Sequence, residues 1–321
     1  MNESAARGAV GPTGRLGGLR AQLRGRSLVI AIPFGWLLVF FLAPFLIVLD
    51  YSVSEMGAVR PEAIVSAADG LLKLSIKYGN YLAIFGDDLY VKAYASSLKY
   101  AAITTLLCLA LGYPFAYFMA RARPGLQPAL LMGVMLPFWT SFLLRVYAWK
   151  GLLDDGGLVS ALLIFTGLDP LMAASGMIAS AGKFMNTPFS LVIGMAYTYL
   201  PFMVLPLYAN LAKMDLALLE AAADLGATRF KAFWLITVPL SRAGIIAGSM
   251  LVFIPCVGEF VIPELLGGPQ TLMIGRVLWD EFFSNNDWPM ASTVAVVLVL
   301  LIVVPLAIFN KYQAEAQEQG R

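Results

Sequence analysis

Six apolar stretches, at residues 28–49, 94–120, 128–149, 187–211, 243–266 and 289–309, alternate along the chain with more polar connections. Each, as a helix rising about 1.5 Å per residue, is long enough to cross a hydrocarbon core about 30 Å thick. The pattern predicts an all-α membrane protein with six transmembrane helices over residues 28–309, an N-terminal tail at 1–27 and a C-terminal tail at 310–321. The first stretch follows Arg7, Arg15, Arg20, Arg24 and Arg26, as the apolar region of a signal peptide would. It exceeds the usual length of about 7 to 15 residues and runs into Asp50 and Tyr51 without a small-x-small cleavage site, so it reads as a retained helix. Two connections, about 51–93 and 150–186, are long. In the second, 158–166 and 171–181 are apolar but too short to span. They read as short helices at the outer interface, broken by Gly167 and Pro170.

Composition narrows the function. The chain is 60% hydrophobic and 13% charged, against roughly half and a quarter in soluble domains, which excludes an ordinary soluble enzyme. The net charge of +2 averages over two unlike faces. With the N-terminus inside, the inner segments (1–27, 120–127, 210–242, 310–321) sum to +7 and the outer ones to −5. This satisfies the positive-inside bias and places both termini in the cytoplasm. The basic residues form no cluster of the kind that binds nucleic acid. Histidine is absent, which removes His-ligated metals and His-based nucleophile pairs, and neither a metal site nor catalytic residues are expected. Cys108 and Cys256 are isolated within apolar stretches and read as packing residues.

The inner connection 213–242, KMDLALLEAAADLGATRFKAFWLITVPLSR, predicts two short helices joined by an elbow. Asp215 can cap the first, Gly226 supplies a left-handed stop, Thr228 can cap the second and Pro239 closes it. Leu216, Leu219 and Ala223 share one face. Ala221, Ala222 and Ala223 leave the surface around Glu220 almost bare, so another protein's backbone can approach while one carboxylate remains for a basic partner. This segment resembles the signature of permease subunits of binding-protein-dependent ABC importers, E-A-A-x3-G-x9-I-x-L-P. It matches at Glu220, Ala221, Ala222, Gly226, Ile236 and Pro239, with Val238 in place of the usual leucine. The resemblance implies a MetI-like type I importer fold and a coupling elbow that seats in a separate ATPase subunit. It also implies an ATPase dimer that holds ATP and Mg²⁺, a second related permease, an external binding protein, and residence in the bacterial inner membrane with no cofactor on this chain. The chain itself has no G-x-x-x-x-G-K-[ST] phosphate loop.

Further stretches, LPFWTSFLLRVY at 136–147, YTYLPFMVLPLY at 197–208 and GEFVIPELLGG at 258–268, followed by Met273-Ile274-Gly275 and Asp287-Trp288-Pro289, resemble the polyamine branch of that family. The implied substrate is putrescine, or spermidine and putrescine. A path for a flexible dication needs acidic groups and aromatic faces. Within the apolar stretches the acidic candidates are Glu259 and Glu264. Glu259 lies deeper, between Pro255 and Pro263, and is the better candidate; Glu264, near the outer surface where it can be solvated, is a second path candidate for which a structural role is favoured. Trp139 and Tyr147, eight residues apart and hence on one helix face, form a candidate cation-binding wall. Arg145 and Lys99 can snorkel to the outer end; a salt bridge from Arg145 to either glutamate would make that carboxylate structural. A second function class is an ion-gradient-driven secondary transporter of a small cation. It would commonly show two similar halves with paired broken helices, and the two halves of this sequence show no convincing repeat.

Overall fold

The computed structural model describes residues 29–57, 61, 65–68, 71–74 and 76–319. The tail expected at 1–27 lies outside them. Helix α1 (Val29–Ser52) is long and apolar enough to cross a membrane, and nearly all of its large side chains are exposed. It lies along the last helix, where the Thr293 hydroxyl donates to the Ser52 carbonyl at 2.9 Å.

The connection that follows departs from the all-helical expectation. It holds a small antiparallel hairpin, β1 (Val65–Ala68) against β2 (Leu71–Leu74), with Val65 opposite Leu74. The alternation is too brief for the hydrophobic pattern to separate it from loop. Helix α2 (Gly79–Gly86) leads into α3 (Asp88–Arg121), a second full-length span that starts where the Asp87 carboxylate accepts the Leu89 N–H at 2.8 Å.

The third stretch is not one straight helix. It is α4 (Gln127–Trp139) and α5 (Phe142–Leu153), bent by 91°. Residues Leu136–Trp139, which include Pro137, tighten into a 3₁₀ turn, and Thr140 is extended (φ −95°, ψ 151°), its hydroxyl donating to the Pro137 carbonyl at 2.7 Å. Apolar character continues through the break, so hydropathy alone does not register it. In the connection that follows, α6 (Leu158–Phe165) and α7 (Asp169–Ala174) replace the two expected short helices. Gly167, at φ +67°, ends the first. Pro170, however, starts the second, as a proline in a first turn does, and that helix stops at Ala174 instead of continuing to 181.

Helix α8 (Pro188–Leu211) opens with a capping box between Thr187 and Ser190 and is a third full-length span. After the elbow, formed by α9 (Ala217–Asp224) and α10 (Arg229–Leu240), come α11 (Arg242–Val257) and the short α12 (Val261–Leu266). The expected helix over 243–266 is therefore interrupted at Gly258–Phe260. Last come α13 (Ile274–Trp279) and α14 (Trp288–Gln319), which carries the sixth apolar stretch.

The core lies where α3, α8 and α11 meet, around Cys108, Met195, Met203, Leu207, Val252 and Cys256, all fully buried. Both cysteines are free and packed, as their sequence setting predicts. Close contact between α8 and α11 depends on two glycines one turn apart. A Cβ on Gly244 would stand 2.9 Å from the Asn210 Cβ and 3.1 Å from the Pro206 carbonyl oxygen. One on Gly248 would stand 3.0 Å from the Met203 carbonyl oxygen. Small residues at this spacing let membrane helices approach backbone to backbone. Gly248→Val should therefore cost about 1–3 kcal/mol and lower the thermal unfolding midpoint in detergent. Gly258→Ala, whose Cβ would first meet Leu298 at 3.8 Å, should leave it unchanged.

Candidate functional site

The elbow at 213–242 forms as its local sequence dictates. The Asp215 carboxylate accepts the Ala217 N–H at 3.0 Å and starts α9. Gly226 ends it in the left-handed region (φ +80°), and two bonds, Gly226 N–H to Ala223 O and Ala227 N–H to Ala222 O, both at 2.9 Å, close a Schellman motif. Thr228 then accepts the Lys231 N–H at 3.3 Å to start α10. Pro239 lies one residue before the end of α10, and the chain turns by 65° at Ser241 into α11.

The surface this creates combines apolar side chains with the exposed carboxylates of Glu220 and Asp224. Glu220, Ala221, Ala223 and Gly226 are exposed. Ala222, not Ala223, turns inward; Ile236 and Pro239 are half-buried. Around them stand Leu225 at 90% exposure, Phe230 at 74% and Leu218 at 46%. A lone leucine or phenylalanine on a surface is ordinary, but this group beside a nearly bare alanine helix is a patch suited to another protein. The elbow is tied to the membrane helices by Phe233, whose ring meets Tyr113 edge-on at 5.6 Å and Tyr117 at 6.1 Å.

At the far end of α11 the sequence candidates separate. Glu259 is not within a helix. It occupies the break after Val257 and is 9% exposed. One carboxylate oxygen accepts the N–H groups of Phe260, Val261 and Ile262 at 3.2, 3.0 and 3.4 Å, which are the free donors at the start of α12. The other oxygen accepts the hydroxyl of Tyr199 on α8. Gly275 lets the start of α13 press against this break: a Cβ there would fall 2.5 Å from the carbonyl oxygens of both Gly258 and Glu259. Phe260 stacks on Trp279, with centroids 4.5 Å apart and planes at 10°.

Glu264 is exposed and forms a 2.6 Å ion pair with Arg276. Arg145 pairs with neither glutamate. Its guanidinium lies over Phe138 and Phe142, and its Nε and Nη1 are buried without a hydrogen-bond partner among the described residues. Trp139 and Tyr147, exposed at 80% and 55%, do not share a helix face, because the 91° bend falls between them. Tyr199 and Gly275 are the site residues that sequence reasoning did not single out. A tyrosine within a membrane-depth helix is a usable signal for the first, since its hydroxyl must find a partner there. Gly275 shows its role only once α13 is folded against the break.

Comparison with known proteins places these features in a family. Residues 108–314 match the family described as binding-protein-dependent transport system inner membrane component. The chain is 37% identical over 289 residues to the spermidine/putrescine transport system permease protein PotB of Haemophilus influenzae, covering 90% of this chain and 93% of the relative. It is 36% identical over 275 residues to PotB of Escherichia coli K12, covering 86% and 93%. Among solved structures, a bacterial ABC transporter involved in importing the acidic polysaccharide alginate superposes with a TM-score of 0.64 over 92% of this chain and 98% of that one, at 17% identity. That last likeness speaks for the fold alone. With the family model covering most of the chain and two relatives matched almost end to end, the chain belongs to the inner membrane components of binding-protein-dependent transport systems, the permease subunits of ABC importers.

Proposed function

We propose that this permease takes up a polyamine, putrescine foremost, from an external binding protein, as half of a pathway completed by a second, related permease. Both termini face the cytoplasm, six apolar segments cross the inner membrane, and the elbow seats in a separate ATPase dimer that binds ATP and Mg²⁺. The observation that carries this reading is the elbow: a capped helix with a bare alanine face, exposed carboxylates at Glu220 and, one turn on, Asp224, and a rim of exposed Leu218, Leu225 and Phe230. Such a surface fits a groove in a partner with a basic residue. Near-complete matches to two permeases named for spermidine/putrescine transport support the polyamine assignment.

On the substrate side, Glu259 is the acidic group for the path. Its oxygens accept four hydrogen bonds, three from backbone N–H groups and one from Tyr199, at a depth where a carboxylate without partners would be costly. Glu264 is neutralised by Arg276 and serves structure. Trp139 and Tyr147 act as separate rings at the outer end, not as one wall.

Reconstitution in proteoliposomes tests the whole reading. ATP-dependent putrescine uptake should require this chain, the second permease, the ATPase and the external binding protein together. Uptake by this chain alone, driven by an ion gradient, would establish a secondary transporter instead.

A further inference from the structure

Between the exposed elbow and the clamped part of α11 lies one residue, Ser241, where α10 and α11 meet at 65°. It is 1% exposed. Its hydroxyl donates to the Val238 carbonyl at 3.0 Å and lies 2.8 Å from the hydroxyl of Tyr113, 128 residues away on α3. With the serine proton committed to Val238, the tyrosine is the donor in that contact. Tyr113 is itself buried, at 7% exposure, and its ring carries Phe233 of α10 edge-on. One side chain of α3 therefore touches α10 by its ring and the bend by its hydroxyl. Beyond the bend α11 has little freedom, because Gly244 and Gly248 bring its backbone against α8. A displacement of the elbow reaches α11 through Ser241, and the Tyr113 hydroxyl is the polar tie of α3 to that residue, beside the ring contacts of Tyr113 and Tyr117 with Phe233.

We infer that Tyr113 is a positioning residue for transport: its hydrogen bond to Ser241 makes α3 move with the elbow, so that the ATPase stroke reaches the outer half of the bundle. This rests on the coupling role proposed for the elbow. Tyr113→Phe keeps the ring and its contact with Phe233 and removes only the hydroxyl.

In the reconstituted four-component complex, Tyr113→Phe should assemble normally and still hydrolyse ATP, while putrescine taken up per ATP falls about fivefold or more, the low end of coupling between sites. Ser241→Ala should give the same ratio, the double variant should be no worse than either single one, and Ser241→Thr should restore coupling. An unchanged uptake-to-ATP ratio in Tyr113→Phe overturns the inference. So does a proportional fall of uptake and hydrolysis, which a purely structural contact would produce. If the unmodified complex shows no ATP-driven uptake, the elbow reading itself fails and the inference falls with it.

Discussion

Glu220→Lys is expected to abolish ATP-driven uptake while leaving the permease folded and in the membrane. The carboxylate is exposed, and α9 is started by Asp215 and stopped by Gly226, so neither cap depends on it. Within the helix, a cation in the first turn opposes the macrodipole by only about 0.3–1 kcal/mol. At the proposed interface with the ATPase the expected change is larger. Losing a charge-assisted hydrogen bond and placing two cations together costs several kcal/mol. At about 1.4 kcal/mol per tenfold, affinity for the ATPase should fall by roughly 10² or more. Co-purification of the ATPase with tagged permease measures this directly, and Glu220→Gln, which keeps an acceptor and removes the repulsion, should fall in between. Undiminished co-purification and uptake with Lys at this position would remove the elbow from the ATPase interface.

The elbow was legible because its determinants are local. Asp215, Gly226 and Thr228 each act on backbone groups no more than a few residues away, so the residue types in order are enough to specify caps and a left-handed stop. The order of the apolar segments was legible for a similar reason, since hydropathy is read directly from the chain, but only α1, α3 and α8 are single helices long and apolar enough to cross a membrane among the described residues. The breaks were not legible. Thr140 and Gly258 interrupt helices within stretches that remain apolar on both sides, and a period-based reading carries a helix straight across them. Trp139 and Tyr147 were placed on one face by that assumption, and the bend between them parts them. The partners of charged groups depended on chain folding too: Arg276 reaches Glu264 from α13, and Tyr199 reaches Glu259 from α8. Gly244 and Gly248, by contrast, carried a usable signal in their four-residue spacing.

Glu259 combines two tasks that substitution can separate. Alanine there removes the acceptor for the Phe260, Val261 and Ile262 N–H groups and for the Tyr199 hydroxyl at once. Each buried donor left without a partner costs about 1–3 kcal/mol, and little water is available at membrane depth to compensate. Glu259→Ala should therefore detach α12 from its position beside α8, lower the detergent unfolding midpoint and reduce recovery of the assembled complex. Glutamine keeps a side-chain oxygen for the three backbone donors, and Tyr199 can reorient to accept from its amide. Glu259→Gln should assemble close to normally. It lacks the fixed negative charge, however, and a dication crossing the break would lose its electrostatic partner. Polyamine uptake by the assembled Gln variant should fall at least tenfold, about the 1.4 kcal/mol expected from losing one charge-assisted contact. Normal uptake by that variant would assign the carboxylate to capping alone, and the substrate path would then have to draw its charge from elsewhere in the complex.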